Sequence, residues 1–156
     1  MSTSKAFRET TMLLLEETFI GSDKGGNVYL DTGTGWQPTL AQLSAVDAST
    51  RLTPSGTTPA GHVFHTIFYM DVVMAELYGK QVGRIDWRES WVVGQVDEGR
   101  WADLKNELIA KYEELVAHLE GAGAWGDAET EVPMAVMTHS AYHLGAVRQF
   151  LTVTRK

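Results

Sequence analysis

The sequence predicts an all-α protein, a four-helix bundle with a long glycine-rich loop after its first helix. Three observations predict it. Four long stretches repeat their apolar residues at spacings of three and four, the stripe of an amphipathic helix. Breaks rich in Gly and Pro separate those stretches. The 156 residues suit one domain spanning 1–156, long enough to bury a core without covalent staples.

The first helix is expected from Lys5 to Ile20 on the stripe Met12, Leu15 and Phe19, and Gly21 ends it. From Gly21 to Gly35 five glycines predict an irregular, mobile loop, with a short strand at Asn27 to Leu30. Thr39 to Ser49, lying between Pro38 and Pro54, reads as a short helix. Thr58 as N-cap, with Pro59 at the first helical position, starts the second long helix, which runs to Gly79. Its expected apolar face is Phe64, Ile67, Phe68, Val72, Ala75 and Tyr78.

Periodicity is lost from Lys80 to Glu98, where Gly83 and Gly94 flank Trp87 and Trp91 in a connection whose tryptophans should pack down. The third long helix, Arg100 to Leu119, carries the stripe Trp101, Leu104, Leu108, Leu115 and Leu119 opposite charged residues. After a break from Gly121 to Asp127, the fourth is expected to begin near Pro133, capped by Thr130 or Glu131, and to run through Val136, His143, Val147 and Leu151. Four long helices joined by loops make a bundle.

Composition narrows the function. A net charge of -7 with no Lys or Arg run excludes nucleic acid and anionic membrane surfaces as partners, since both need concentrated positive charge. No apolar run approaches the roughly 20 residues of a membrane span. No signal-like segment follows Met1 to Lys5, so the expected location is cytoplasmic. With no cysteine, disulfides, thiolate metal sites and cysteine nucleophiles are excluded, and any metal must take N or O ligands.

His139 and His143 stand four apart on a helix, so their rings share a face and can meet one cation. A stable site needs a third ligand, and His62 and His65 of the second long helix are the suppliers. His65, beside Phe64 and Phe68 on the expected apolar stripe, is preferred; His62 aligns with Thr66 and Tyr69 nearer its edge. His118, beside Glu114 on a polar face, is read as solvated, and so are the adjacent pairs Glu16–Glu17 and Glu113–Glu114. Ser140 follows His139 where an HExxH metalloprotease has glutamate, and no Glu-x-x-His occurs to build a carboxylate-bridged di-iron bundle. The glycine-rich loop lacks both the GK[ST] ending and the G-x-G-x-x-G spacing of phosphate-binding loops.

Two blocks resemble the DinB-like, or DinB/YfiT-like, putative metalloenzymes. HTIFYMDVVMAELYG, His65 to Gly79, is similar to that family's second-helix signature, and HSAYHLGAV, His139 to Val147, to its fourth-helix signature. With the Trp-containing connection and the helix from Arg100, the resemblance covers about the last two thirds of the chain. It implies a bundle with a crossing order other than simple up-and-down. It also implies a zinc or nickel site on His65, His139 and His143, and a homodimer. Relatives with known activities transfer low-molecular-weight thiols (bacillithiol, mycothiol, glutathione) to small-molecule substrates, or isomerise maleylpyruvate. The sequence departs from the family pattern at Ala146, where Gln is common, and in its additional His62. The expected function is therefore a metal-dependent thiol S-transferase, in which the absence of cysteine requires the thiol to come from a cofactor. Tyr69, Tyr142 and Arg148 are candidates to orient substrate. The competing expectation is a non-catalytic stress-response or interaction protein whose His triad is a structural staple.

Overall fold

A computed structural model of the chain describes residues 5–21 and 27–155. Among these residues it is all-helical, with no strand. Four long helices dominate: α1 (Lys5–Phe19), α4 (Pro59–Met74), α5 (Glu98–Gly121) and α6 (Asp127–Thr154). Two short ones, α2 (Trp36–Leu40) and α3 (Ala45–Ala48), lie between α1 and α4. Helix α4 packs against both α5 and α6, and α1 packs against the same two from elsewhere in the structure. No helix among the described residues is long and apolar enough to cross a membrane.

Helix α5 follows its sequence pattern closely. Trp101, Leu104, Leu108, Leu115 and Leu119 are its buried residues, and the Trp101 Nε1–H donates to the Leu43 carbonyl at 2.8 Å, so the large ring is buried with its polar edge satisfied. Helix α4 differs from expectation. Its buried apolar seam is Ala60, Val63, Ile67, Met70 and Met74, and of the expected face only Ile67 belongs to it. The helix is apolar nearly all round, so the sequence offers two overlapping stripes. Met70 and Met74 take the core while Phe68 packs edge-on against Trp87, with ring centroids 5.9 Å apart.

The start of α4 is as expected: the Thr58 hydroxyl accepts the Gly61 N–H at 3.1 Å. After Met74 the helix tightens into a 3-10 turn, Ala75–Tyr78, which ends at Gly79 with φ of 63°, a left-handed conformation that glycine adopts without strain. Helix α6 begins six residues before Pro133, at Asp127, rather than near Pro133. The Glu129 carboxylate accepts the Gly126 N–H at 2.8 Å, which fixes the first turn earlier, and Pro133 sits buried inside the helix. Thr39 to Ser49 is not one helix either. The chain breaks between α2 and α3, and α3 starts at Ser44, whose hydroxyl and N–H exchange bonds with Asp47.

The expected strand at Asn27 to Leu30 is absent, and the reason corrects a second expectation. Glu17 is buried rather than solvated, only 1% exposed, and its carboxylate accepts the N–H groups of Val28, Tyr29 and Leu30 at 2.7 to 3.0 Å. Three consecutive backbone donors converge on one carboxylate and hold this part of the loop against α1. Gly35 completes the junction: a Cβ there would stand 2.7 Å from the Glu17 carbonyl oxygen and from the Gly21 nitrogen. His118 also departs from its solvated reading. It lies half-buried at an α5–α6 junction, with its Nε2 3.5 Å from Glu129 and its ring edge-on to Tyr78.

Removing the Glu17 carboxylate strands three N–H groups, each worth on the order of 1–3 kcal/mol when left unsatisfied. Glu17→Ala should therefore lower the melting temperature by roughly ten degrees, at about 2–4 °C per kcal/mol for a chain of this size. The exposed neighbour Glu16→Ala should leave it nearly unchanged. Thermal denaturation followed by circular dichroism decides; equal melting temperatures for the two variants would contradict the role given to Glu17.

Candidate metal centre

The site lies between α4 and α6 under the connection from Lys80 to Asp97. Helix α6 places His139 and His143 one turn apart, with ring centroids 4.5 Å apart. Helix α4 supplies His65, whose ring lies 5.0 Å from that of His139 and 4.7 Å from that of His143. One nitrogen from each of these three rings lies within 4.8 Å of the others, so the triad could hold a metal ion. Ligand nitrogens around a tetrahedral zinc stand about 3.3 Å apart, given Zn–N bonds of about 2.0–2.1 Å.

Each ring is held from behind. His65 Nδ1 stands 2.7 Å from the hydroxyl of Ser90, a fully buried residue, and that hydroxyl donates its own hydrogen to the Trp87 carbonyl at 2.7 Å. A hydroxyl has one hydrogen, so Ser90 accepts from His65 Nδ1–H, and the lone pair of His65 remains on Nε2. Trp91 stacks on the opposite face of His65, with centroids 3.9 Å apart and planes inclined by 13°. Tyr69 stacks on His139 at 3.7 Å and 6°. His139 Nε2 is buried without a hydrogen-bond partner, an orphaned acceptor or donor of the kind a bound cation satisfies. The donor set, three imidazoles with one buried nitrogen unclaimed, fits a divalent metal ion.

The tryptophans of the connection pack down as expected. Asp86 caps a 3-10 helix, Trp87–Trp91, by accepting the Arg88 N–H at 3.1 Å, and this turn lies along α4. Gly61 permits the approach, because a Cβ there would come within 3.0 Å of the Val93 carbonyl. Both tryptophans keep about two fifths of their surface exposed, so they form a wall open to solvent on its far side.

The extra histidine, His62, is not part of the triad. Its Nδ1 meets His143 Nδ1 at 2.9 Å, and the edge of its ring faces Trp91. Of the three residues proposed to orient substrate, Tyr69 and Tyr142 are at the site. Tyr142 is mostly exposed and stands edge-on to His143 at 4.9 Å. Arg148 points away to α2, where its guanidinium donates to Thr39 Oγ1 at 3.3 Å. Ser90 was missed by sequence reasoning. The only available signal was general: a ligating imidazole wants a partner on its second nitrogen, and a serine sits between the two tryptophans.

Burial sets the protonation of the cluster. Desolvation, followed by the charge of the neighbouring His65, pushes His62 and His139 down to about 4. Desolvation, then repulsion from His139, His62 and His65, pushes His143 to about 3. Desolvation also lowers His65. All four rings are neutral at pH 7, the form that ligates metal.

The same shifts set an acid limit on the metal-free fold. In the unfolded chain these imidazoles titrate near the usual value of about 6.5. In the fold His62, His139 and His143 resist protonation until about 4 or below, so the unfolded chain binds more protons between those limits and stability falls as pH drops from about 6.5 towards 4. With chelator present, the melting temperature should decline by several degrees from pH 7.5 to pH 5, and His139→Phe should flatten part of that decline. A wild-type melting temperature independent of pH over this range would show that the rings are not desolvated.

Comparison with models of known protein families, with curated proteins and with solved structures finds no match to this chain, and the functional reading therefore rests on the residues of the site.

Proposed function

We propose that this chain is a DinB-like four-helix-bundle protein that binds a divalent cation, zinc or nickel, on His65, His139 and His143. On this reading it acts as a metal-dependent thiol S-transferase on small-molecule substrates, as a homodimer. The observation that carries the reading is the convergence of three neutral imidazoles from α4 and α6 on one point, with the buried Nε2 of His139 unclaimed by any protein group. The four long helices, and the contacts of α1 and α4 with both α5 and α6, support the bundle.

Three donors rather than four favour catalysis over a structural staple. A structural zinc closes its tetrahedron with a fourth protein ligand, whereas catalytic sites leave that position to water or substrate, and the described residues group only three donors here. A divalent ion held by three neutral imidazoles would keep its full charge and would supply the Lewis acidity that lowers the pKa of a water or thiol towards neutrality. The chain's own groups do the rest. Ser90 fixes the tautomer of His65, and Tyr69 and Trp91 hold the planes of His139 and His65 by stacking. The exposed Tyr142 stands where an incoming substrate meets His143. Because the chain has no cysteine, the thiol must arrive from solution.

Protein purified without a polyhistidine tag and assayed by plasma emission should carry about one zinc or nickel per chain, and His139→Ala or His143→Ala should abolish this. Ser90→Ala should weaken binding about 10–100-fold, the usual cost of losing a ligand's outer hydrogen-bond partner. The loaded protein should accelerate transfer of bacillithiol, mycothiol or glutathione to a panel of small electrophiles. Folded wild-type protein free of metal after zinc and nickel are offered would overturn the whole reading. Metal binding with no thiol transfer, and a melting temperature lowered by tens of degrees on chelation, would select the structural staple.

A further inference from the structure

We propose that His62 is a positioning residue for the metal ligand His143, holding it as the Nδ1–H tautomer by accepting that proton's hydrogen bond. The inference rests on the metal reading above and adds a residue outside the triad.

The geometry allows little else. The two Nδ1 atoms are 2.9 Å apart, so one ring donates and the other accepts. His143 Nδ1 is thereby occupied, and the nitrogen left to face His65 and His139 is Nε2. A neutral imidazole that ligates through Nε2 carries its proton on Nδ1, which makes His143 the donor and His62 Nδ1 the acceptor. The opposite direction would put a hydrogen on His143 Nε2 and remove the ligand. His62 must then be protonated on its own Nε2. That edge has an outlet, because His62 lines a surface pocket of about 290 Å³ together with Thr53, Thr57, Pro59 and Gln149, where solvent can serve the donor.

Two of the three ligands are then oriented by the same device from opposite sides. Ser90 accepts from His65 Nδ1, and His62 accepts from His143 Nδ1. His62 and His65 lie three apart on α4, so one helical face supplies a ligand and the residue that aims a ligand on the facing helix.

Zinc or cadmium titration of wild type, His62→Gln and His62→Leu, with nitrogen-15 spectra of the histidine rings, tests this. Glutamine offers an acceptor oxygen; leucine fills similar volume and offers none. Wild type should show His143 bound through Nε2 and protonated on Nδ1. His62→Leu should bind about 10–100-fold more weakly, while His62→Gln should stay within a few-fold of wild type. A wild-type spectrum with His143 bound through Nδ1, or with His62 itself coupled to cadmium, overturns the inference, as does a folded His62→Leu of unchanged affinity. In those cases wild type still binds metal and the metal reading survives. Wild type that binds no metal sinks both.

Discussion

Packing several imidazole rings against one another in the seam between two helices is the constraint on which the rest of the structure depends. Each ring carries two polar nitrogens, and each nitrogen withdrawn from water without a partner costs on the order of 1–3 kcal/mol. The fold answers part of this demand with protein groups: Ser90 for His65 and the paired Nδ1 atoms for His62 and His143. The ring nitrogen that is fully buried and still has no hydrogen-bond partner is the Nε2 of His139. A protein selected for stability alone would fill this seam with leucine, as α5 does along Trp101, Leu104, Leu108, Leu115 and Leu119. Retaining polar rings in a desolvated seam is the mark of a site whose use lies in what it binds.

The same constraint explains why α4 and α5 are joined by an elaborate cover rather than by a simple turn. His65 would present one face to solvent if the connection after Gly79 ran directly to α5. The 3-10 helix Trp87–Trp91 closes that face by stacking Trp91 on the ring, and places Ser90 where its hydroxyl reaches Nδ1. Cover and hydrogen bond come from adjacent residues of one short turn, so the connection is part of the site. On α1, Glu17 performs a comparable service for the fold, collecting the N–H groups of Val28, Tyr29 and Leu30 so that an irregular segment can lie against a helix with these donors paired.

The helices and the triad were legible in the sequence to different degrees, for physical reasons. Helix α5 was readable because charged residues oppose its apolar stripe, which leaves one possible buried face. Helix α4 was not, because it is apolar on most sides, and hydropathy cannot tell the seam Val63–Ile67–Met70–Met74 from the neighbouring Phe64–Phe68 stripe, of which Phe68 meets Trp87 in the tryptophan turn. Helix α6 starts earlier than Pro133 suggested because the cap is a through-space bond from Glu129 to a glycine N–H, and the proline is tolerated inside the helix. His139 and His143 were visible because ligands one helical turn apart leave a spacing, and His65 because it shares α4 with few other donors. Ser90 and the role of His62 leave no spacing at all: both act on a ring 25 or more positions away in sequence, and only the packed structure brings them there.

That asymmetry bears on how such a site could change. The triad could survive many substitutions in the core, because its members are set by the backbones of two helices, α4 and α6, that pack against each other. The aim of the rings depends instead on two hydrogen bonds, one accepted by a serine in a short turn and one accepted by a histidine at the rim of a pocket. Losing either leaves three imidazoles at about the same distances but free to rotate and to exchange tautomers, and only one tautomer of each ring offers a lone pair to the shared centre. Ligand identity therefore sets whether a cation can bind, and the residues behind the ligands set how firmly it is held and how much of its coordination stays open.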